Sequence, residues 1–267
     1  MTVRPRRTDV AALYDLGVDV YDSLWSPIIL PPAQQVVSSL ELESGSLVLD
    51  VGTGTGALIP TIRAAAPAAT VVGLDAAAEM LRLAQAHTGA PVIRADAAAL
   101  PIDEATADAA LLAFVLFHLN DPALAITEAA RVLHGGGRVG TVTWRRESTL
   151  RAYEVWDAAL TEAGAPPLPS PRADAGLDTV DGIAALLTTA GLQPTRVWLE
   201  PLSHQWEPSA YWQMATGSGL NRTRLRRIDA DARPEVLARA RERLGTLPRE
   251  DYAWSGEVVC AVAIKPD

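Results

Sequence analysis

The sequence predicts an α/β fold: a doubly wound, seven-stranded, mainly parallel sheet with an antiparallel edge strand, an N-terminal helical cap and a helical lid insertion. Three observations predict it. Short apolar runs alternate with helical periods between Leu47 and Trp144, the pattern of strands joined by crossover helices. The first run, Leu47-Val48-Leu49, ends in Asp50 and passes into a glycine turn, Gly52-Thr53-Gly54-Thr55-Gly56. Two strand-like stretches, 193–205 and 252–265, follow the fifth strand and suit an antiparallel pair at the edge of a parallel sheet.

Taken in order, residues 1–8 read as frayed. Residues 9–40 carry apolar positions at helical spacing, interrupted at Ser26-Pro27 and Pro31-Pro32. They read as two or three short helices, and residues 1–40 as the cap. Residues 41–146 form the core. Strand 1 is 47–51 and its helix, 56–65, stops before Pro67. Strand 2 (70–74) leads to a helix at 76–86. Strand 3 is 91–94, and strand 4 (108–113) leads to a helix at 122–133. Gly135-Gly136-Gly137 is a helix stop and turn before strand 5 at 138–144. Residues 147–267 hold the lid and the last two strands: helix 150–163, a proline-rich loop 165–176, helix 181–189, a partly helical stretch 208–227 and helix 233–244.

A chain of 267 residues that is 49% hydrophobic supports a sizeable core. A net charge of −9 argues against nucleic acid or an anionic membrane as partner, because no basic excess exists to neutralise phosphates. The basic run from Arg222 to Arg227 reads as a solvated helix face. The lone Cys260 sits in an apolar run and reads as a buried, inert thiol. No metal-ligand spacing appears. The opening MTVRPRRTD lacks the apolar segment of a signal peptide, and no run approaches a membrane span. The expectation is a cytoplasmic monomer or homodimer acting on a small molecule.

The glycine turn carries the chemistry. Glycines between a strand and a helix leave backbone N–H groups uncovered and let a ligand approach without Cβ atoms in the way. Gly52-x-Gly54-x-x-Ala57 also satisfies a dinucleotide pattern, which keeps a nicotinamide-dependent oxidoreductase as an alternative. Asp50 at the strand end would crowd a pyrophosphate and suits a cation. Asp75 ends strand 2 about 20 residues past the turn, where a ribose-binding acid belongs. Asp96 follows strand 3, and the run from Ala107 to Asp121 forms strand 4 and its loop. Ligands of open α/β sheets bind at strand carboxyl ends, so these acids converge on one crevice. The plainer reading of Asp75 alone is a helix N-cap.

LVLDVGTGTG, VVGLDAAAEML, RADAAALPI, AFVLFHLND and AARVLHGGGRVG, in this order, resemble the class I S-adenosylmethionine (SAM)-dependent methyltransferases, a Rossmann-like family. The likeness is strongest to the small-molecule branch that includes the ubiquinone and menaquinone biosynthesis methyltransferases, and it covers about half the chain. The resemblance implies SAM as cofactor. Gly52, Thr53, Gly54 and Gly56 would follow its methionine moiety, and Asp50 its ammonium end. Asp75 would accept from the ribose hydroxyls. Ala76 and Met80 would contact the adenine, Asp96 and Ala97 would hydrogen-bond it, and the Ala113 carbonyl would meet the ammonium. The implied reaction is methyl transfer to a small apolar or aromatic acceptor at oxygen, carbon or nitrogen. A SAM-binding protein without methyl transfer is the second alternative.

His118, after strand 4, is the candidate base, with packing as its plainer reading. His204 is a weaker candidate and Tyr21 a polar positioning group. Tyr14, Tyr21, Trp25, Phe117, His204, Trp206, Tyr211, Trp212 and Met214 are the candidate acceptor pocket; a lid helix packed by its apolar face explains the last cluster equally.

Overall fold

A computed structural model describes residues 10–147, 150–168 and 176–267. The frayed start expected for residues 1–8 and most of the expected loop at 165–176 lie outside them. Strands β1 (Leu47–Val51), β2 (Thr70–Asp75), β3 (Val92–Arg94), β4 (Ala107–Ala113), β5 (Leu133–Glu147), β6 (Gln193–Gln205) and β7 (Ala253–Ile264) form one sheet in the order β3-β2-β1-β4-β5-β7-β6. β1 to β5 are parallel, and β7 pairs antiparallel with both β5 and β6. The antiparallel strand therefore lies one place in from the edge. The order reverses between β1 and β4, which opens a crevice at their carboxyl ends.

Helices cover both faces: α1 (Val10–Leu16), α2 (Val18–Val20), α3 (Ser26–Ser39), α4 (Ile59–Ala65), α5 (Ala78–Thr88), α6 (Pro122–Val132), α7 (Arg151–Glu162), α8 (Val180–Thr189), α9 (Pro208–Gly217), α10 (Gly219–Leu225) and α11 (Arg233–Gly245). A π-helical turn, Tyr21–Trp25, joins α2 to α3. The period of two assigns alternate strand residues to opposite layers. Leu111, Cys260 and Val262 pack with Val36 and Trp156 on one face. Leu112, Val259 and Ala261 pack with Ile126 and Ile183 on the other. Burial pushes the Cys260 thiol up to about 12, so it is inert at neutral pH.

Two local expectations are corrected. The Pro31-Pro32 pair does not interrupt α3, which runs through both prolines. Its face Ile28, Ile29, Ala33, Val36 and Val37 is buried along its length, and this packing outweighs the lost backbone donors. The glycine triplet does stop α6, but it lies inside β5. There the Gly136 N–H donates to the Lys265 carbonyl and the Lys265 N–H to that of Gly137, each at 2.8 Å. The triplet forms the irregularity that lets Leu133 and Arg138 face Ala107 and Ala109 of β4.

The amino-terminal segment is fixed to both halves of the molecule. Asp15 Oδ1 accepts the Glu79 N–H in the first turn of α5 at 2.8 Å, capping that helix from a distance. Arg222 of α10 donates to the Leu16 carbonyl. α1 therefore spans the sheet crevice and the lid helices.

Candidate active site

The glycine turn leaves β1 with Gly52 at φ +74°, where a Cβ would overlap the Val115 side chain. Only glycine fits that conformation and that approach. The Gly52 and Thr53 N–H groups both donate to the Leu74 carbonyl of β2. Asp75 then binds the turn directly: Oδ2 accepts the Gly54 N–H and Oδ1 the Ala77 N–H, each at 2.9 Å. The helix-capping alternative thus falls to Asp15, and Asp75 joins the end of β2 to the turn after β1. Asp50 is 2% exposed and accepts the Thr53 hydroxyl at 2.6 Å. Asp96 Oδ1 accepts the Ala98 N–H at 2.9 Å. Burial pushes the Asp50 carboxyl up to about 6 and raises that of Asp75. Among the described residues, neither carboxylate forms an ion pair.

Three adjoining cavities meet here. A crevice of about 150 Å³ is lined by Gly52, Gly54, Asp75, Ala76, Met80, Asp96, Ala97 and Ala113. A smaller cavity of about 50 Å³ is lined by Asp50, Thr53 and Thr55, with Gly52 and Ala113 shared. A chamber of about 620 Å³ lies under the lid, and Trp25, Phe117 and Met214 are among its walls. Tyr21 lines all three cavities, and Tyr14 and His118 line both the crevice and the chamber. Tyr14 Oη stands 2.8 Å from His118 Nε2. Burial, reinforced by Asp75, raises the Tyr14 pKa, so the phenol keeps its proton.

Several expectations about position change. Gly56 lines no cavity; it packs against Ala84 and Thr88 of α5. Trp206 (3% exposed) and Tyr211 (5%) belong to the core, and Trp206 stacks nearly parallel to Trp25. Trp212 packs edge-on to Trp156. His204 meets the edge of Trp206, and burial lowers its pKa. None of these four is among the residues that line the three cavities. The basic run is not wholly solvated either. Arg226 and Arg227 are exposed, but Arg224 is 1% exposed and pairs with Asp157.

Phe114 is a site residue that the sequence reading missed. It has φ +59° and lines the crevice and the small cavity. A non-glycine residue in this region is strained, and such strain gathers at functional sites. Its position directly after Ala113 was the available signal.

The family described as "Methyltransferase domain" matches residues 49–140. The chain is similar to methyltransferase domains over this segment, which is less than half of its length. The ubiquinone/menaquinone biosynthesis C-methyltransferase UbiE of Syntrophotalea carbinolica is 37% identical over 108 residues, 39% of this chain and 46% of that protein. The demethylmenaquinone methyltransferase of Thermobifida fusca is 33% identical over 141 residues, 49% of this chain and 59% of that protein. The chain therefore spans about half the length of these curated relatives. Among solved structures, the [4+2]-cyclase SpnF superposes with a TM-score of 0.61 at 18% identity, covering 96% of both chains. That likeness concerns the fold.

The residues of the crevice fit SAM, the cofactor that the methyltransferase likeness implies. One buried carboxylate, Asp50, and one half-buried carboxylate, Asp75, with no cation paired to either among the described residues, suit a ligand that carries positive charge. The Thr55 hydroxyl, buried on the Asp50 cavity, has no hydrogen-bond partner among the described residues. The Gly52 position would be filled by any side chain. Asp50, Thr53 and Thr55 would hold the amino-acid end, Asp75 the ribose, and Met80, Asp96 and Ala97 the adenine. Among the described residues, no group of three His, Cys, Asp or Glu side chains could hold a metal ion. The nicotinamide alternative is not favoured.

Replacing Asp75 with alanine should weaken SAM binding at least tenfold, about 1.4 kcal/mol; unchanged affinity by calorimetry would remove the ribose assignment. Asp50 titrates near 6 in the folded chain against 3.8 for the free group, so the folded state binds its proton more tightly than the unfolded state does. Its ionisation therefore costs stability as pH rises between these values, on the order of 3 kcal/mol above pH 6. Asp50→Asn keeps an acceptor for Thr53. It should raise the melting temperature by several degrees at pH 8, with the gain vanishing near pH 4, while SAM affinity falls. A melting temperature unmoved at pH 8 would refute the unpaired-carboxylate account.

Proposed function

We propose that the protein transfers a methyl group from SAM to a small-molecule acceptor held in the chamber under the lid. One observation carries this reading: the Tyr14–His118 pair lies where the crevice opens to the chamber, so one pair of side chains faces both ligands. SAM, when bound, supplies an electrophilic methyl group whose sulfur keeps the bonding electron pair on departure. The chain's own residues supply orientation, exclusion of water and a path for a proton.

For a hydroxyl acceptor, Tyr14 Oη takes the acceptor's proton as its own passes to His118 Nε2. The acceptor's O–H bond is replaced by O–CH₃, and the imidazolium then releases its proton to solvent. Tyr21 positions the ligands where the cavities join. Trp25, Phe117 and Met214 give the apolar walls. The names of the quinone-pathway relatives support a small ring acceptor. The core at residues 41–146 then binds cofactor, while the cap and the segment 147–267 hold the acceptor.

Calorimetry with SAM and with NADH tests the cofactor: tight NADH binding without SAM binding would overturn the reading. Tyr14→Phe should leave SAM affinity within about threefold and slow transfer by about 10²-fold, the scale of a lost proton-transfer group. Turnover at the parent rate would take Tyr14 out of the proton path. Intact SAM beside a converted acceptor would point to a SAM-binding catalyst that transfers no methyl.

A further inference from the structure

The chamber's chemistry narrows the acceptor. Its volume of about 620 Å³ falls in the middle of the range for drug-sized ligands. A single ring would leave most of it as water against the apolar walls of Leu13, Trp25, Phe117 and Met214. Its rim is apolar as well: Tyr153 and Leu220 both line it and are 44% and 40% exposed. A ligand with one end at Tyr14 and His118 can rest its other end on this rim. No carboxylate and no lysine is among the described residues of its lining.

Among the described residues one cation reaches the wall, and it is already satisfied. Arg224 Nη1 donates to Asp157 Oδ1 at 2.6 Å and Nε to the Ala165 carbonyl at 3.0 Å. Nη2 donates to the same carbonyl at 2.9 Å, with the Thr161 hydroxyl and the Asp157 carbonyl each at 3.4 Å. Each guanidinium nitrogen is engaged, and Asp157 balances the charge. An anionic acceptor would lose its hydration here and find no free donor of opposite charge among the described residues of the lining.

We propose that the acceptor is a neutral, fused-ring phenol of about two to four rings, seated with its hydroxyl at Tyr14 and His118 and its far ring at the Tyr153–Leu220 rim, and that the Arg224–Asp157 pair sets the chamber against anionic acceptors. This inference rests on the methyl-transfer reading.

The test is calorimetric titration of the full chain, with S-adenosylhomocysteine present, against phenol, 2-naphthol, 1-hydroxypyrene and 6-hydroxy-2-naphthoate. The two neutral fused-ring compounds should bind at least tenfold tighter than phenol. The naphthoate, charged at its far end, should bind at least tenfold weaker than 2-naphthol. Phenol binding as tightly as 2-naphthol, or the naphthoate matching it, overturns the proposal. Asp157→Asn frees the Arg224 charge and should narrow the naphthol–naphthoate gap at least threefold; an unchanged gap removes the pair from specificity. The parent-chain series decides the acceptor class even if that variant does not fold. Failure of the parent chain to bind S-adenosylhomocysteine, measured separately, would sink the methyl-transfer reading instead. Methyl transfer to a small amine with no fused-ring binding would leave that reading standing and end this one.

Discussion

The Asp75 carboxylate ties together the two chain segments on which the site depends. One oxygen holds the Gly54 N–H of the turn after β1, and the other holds the Ala77 N–H before α5. A turn built from glycines is conformationally loose, and a charge-assisted bond from a neighbouring strand end fixes it. The arrangement places a second carboxylate, Asp50, in the floor beneath, where it accepts the Thr53 hydroxyl. Both acids are pushed up by burial. The fold therefore holds uncompensated negative charge in one place, and a cationic ligand offsets that cost. Stability is given up where the ligand restores it.

The proton chemistry depends on a different constraint. α1 has no fully buried residue, and Tyr14 itself is half-buried with its ring edge-on to Tyr21, so deep core packing is not what fixes it over His118. Its position comes from the Asp15 bond to α5, the Arg222 bond to Leu16, and backbone packed on backbone against the lid. A Cβ on Gly219 would overlap the Leu13 carbonyl. Helix ends and bare backbone thus set a side-chain pair 104 residues apart in the chain.

The first half of the site was legible and the second half largely was not. Asp50, Asp75 and Asp96 declare themselves because strand ends and glycine turns are local patterns, and parallel topology brings such ends together. The chamber is built from contacts without a local signature. Nothing in Arg222 to Arg227 marks Arg224 as the buried member, because its partner Asp157 lies 67 positions earlier. Trp206 and Tyr211 were drawn toward the pocket by aromatic density, which a packed helix face produces as readily. The Pro31-Pro32 pair misled for the converse reason: tertiary packing of α3 overrode a strong local stop.

Charge links the two halves. In the ligand-free chain, Asp75 raises the Tyr14 pKa, and Tyr14, Asp75 and Asp50 all add to the effect of burial on Tyr21. Both phenols are held firmly protonated while the crevice is negative. A cation bound beside Asp75 would offset that carboxylate's contribution and ease loss of the Tyr14 proton, while the larger contribution of burial would remain. In the proposed reaction the Tyr14 hydroxyl would then pass its proton to His118 more readily with the crevice filled. No moving part would be needed to couple cofactor to proton transfer, because Asp75 both favours the ligand and, without it, adds to the burial that holds the Tyr14 proton.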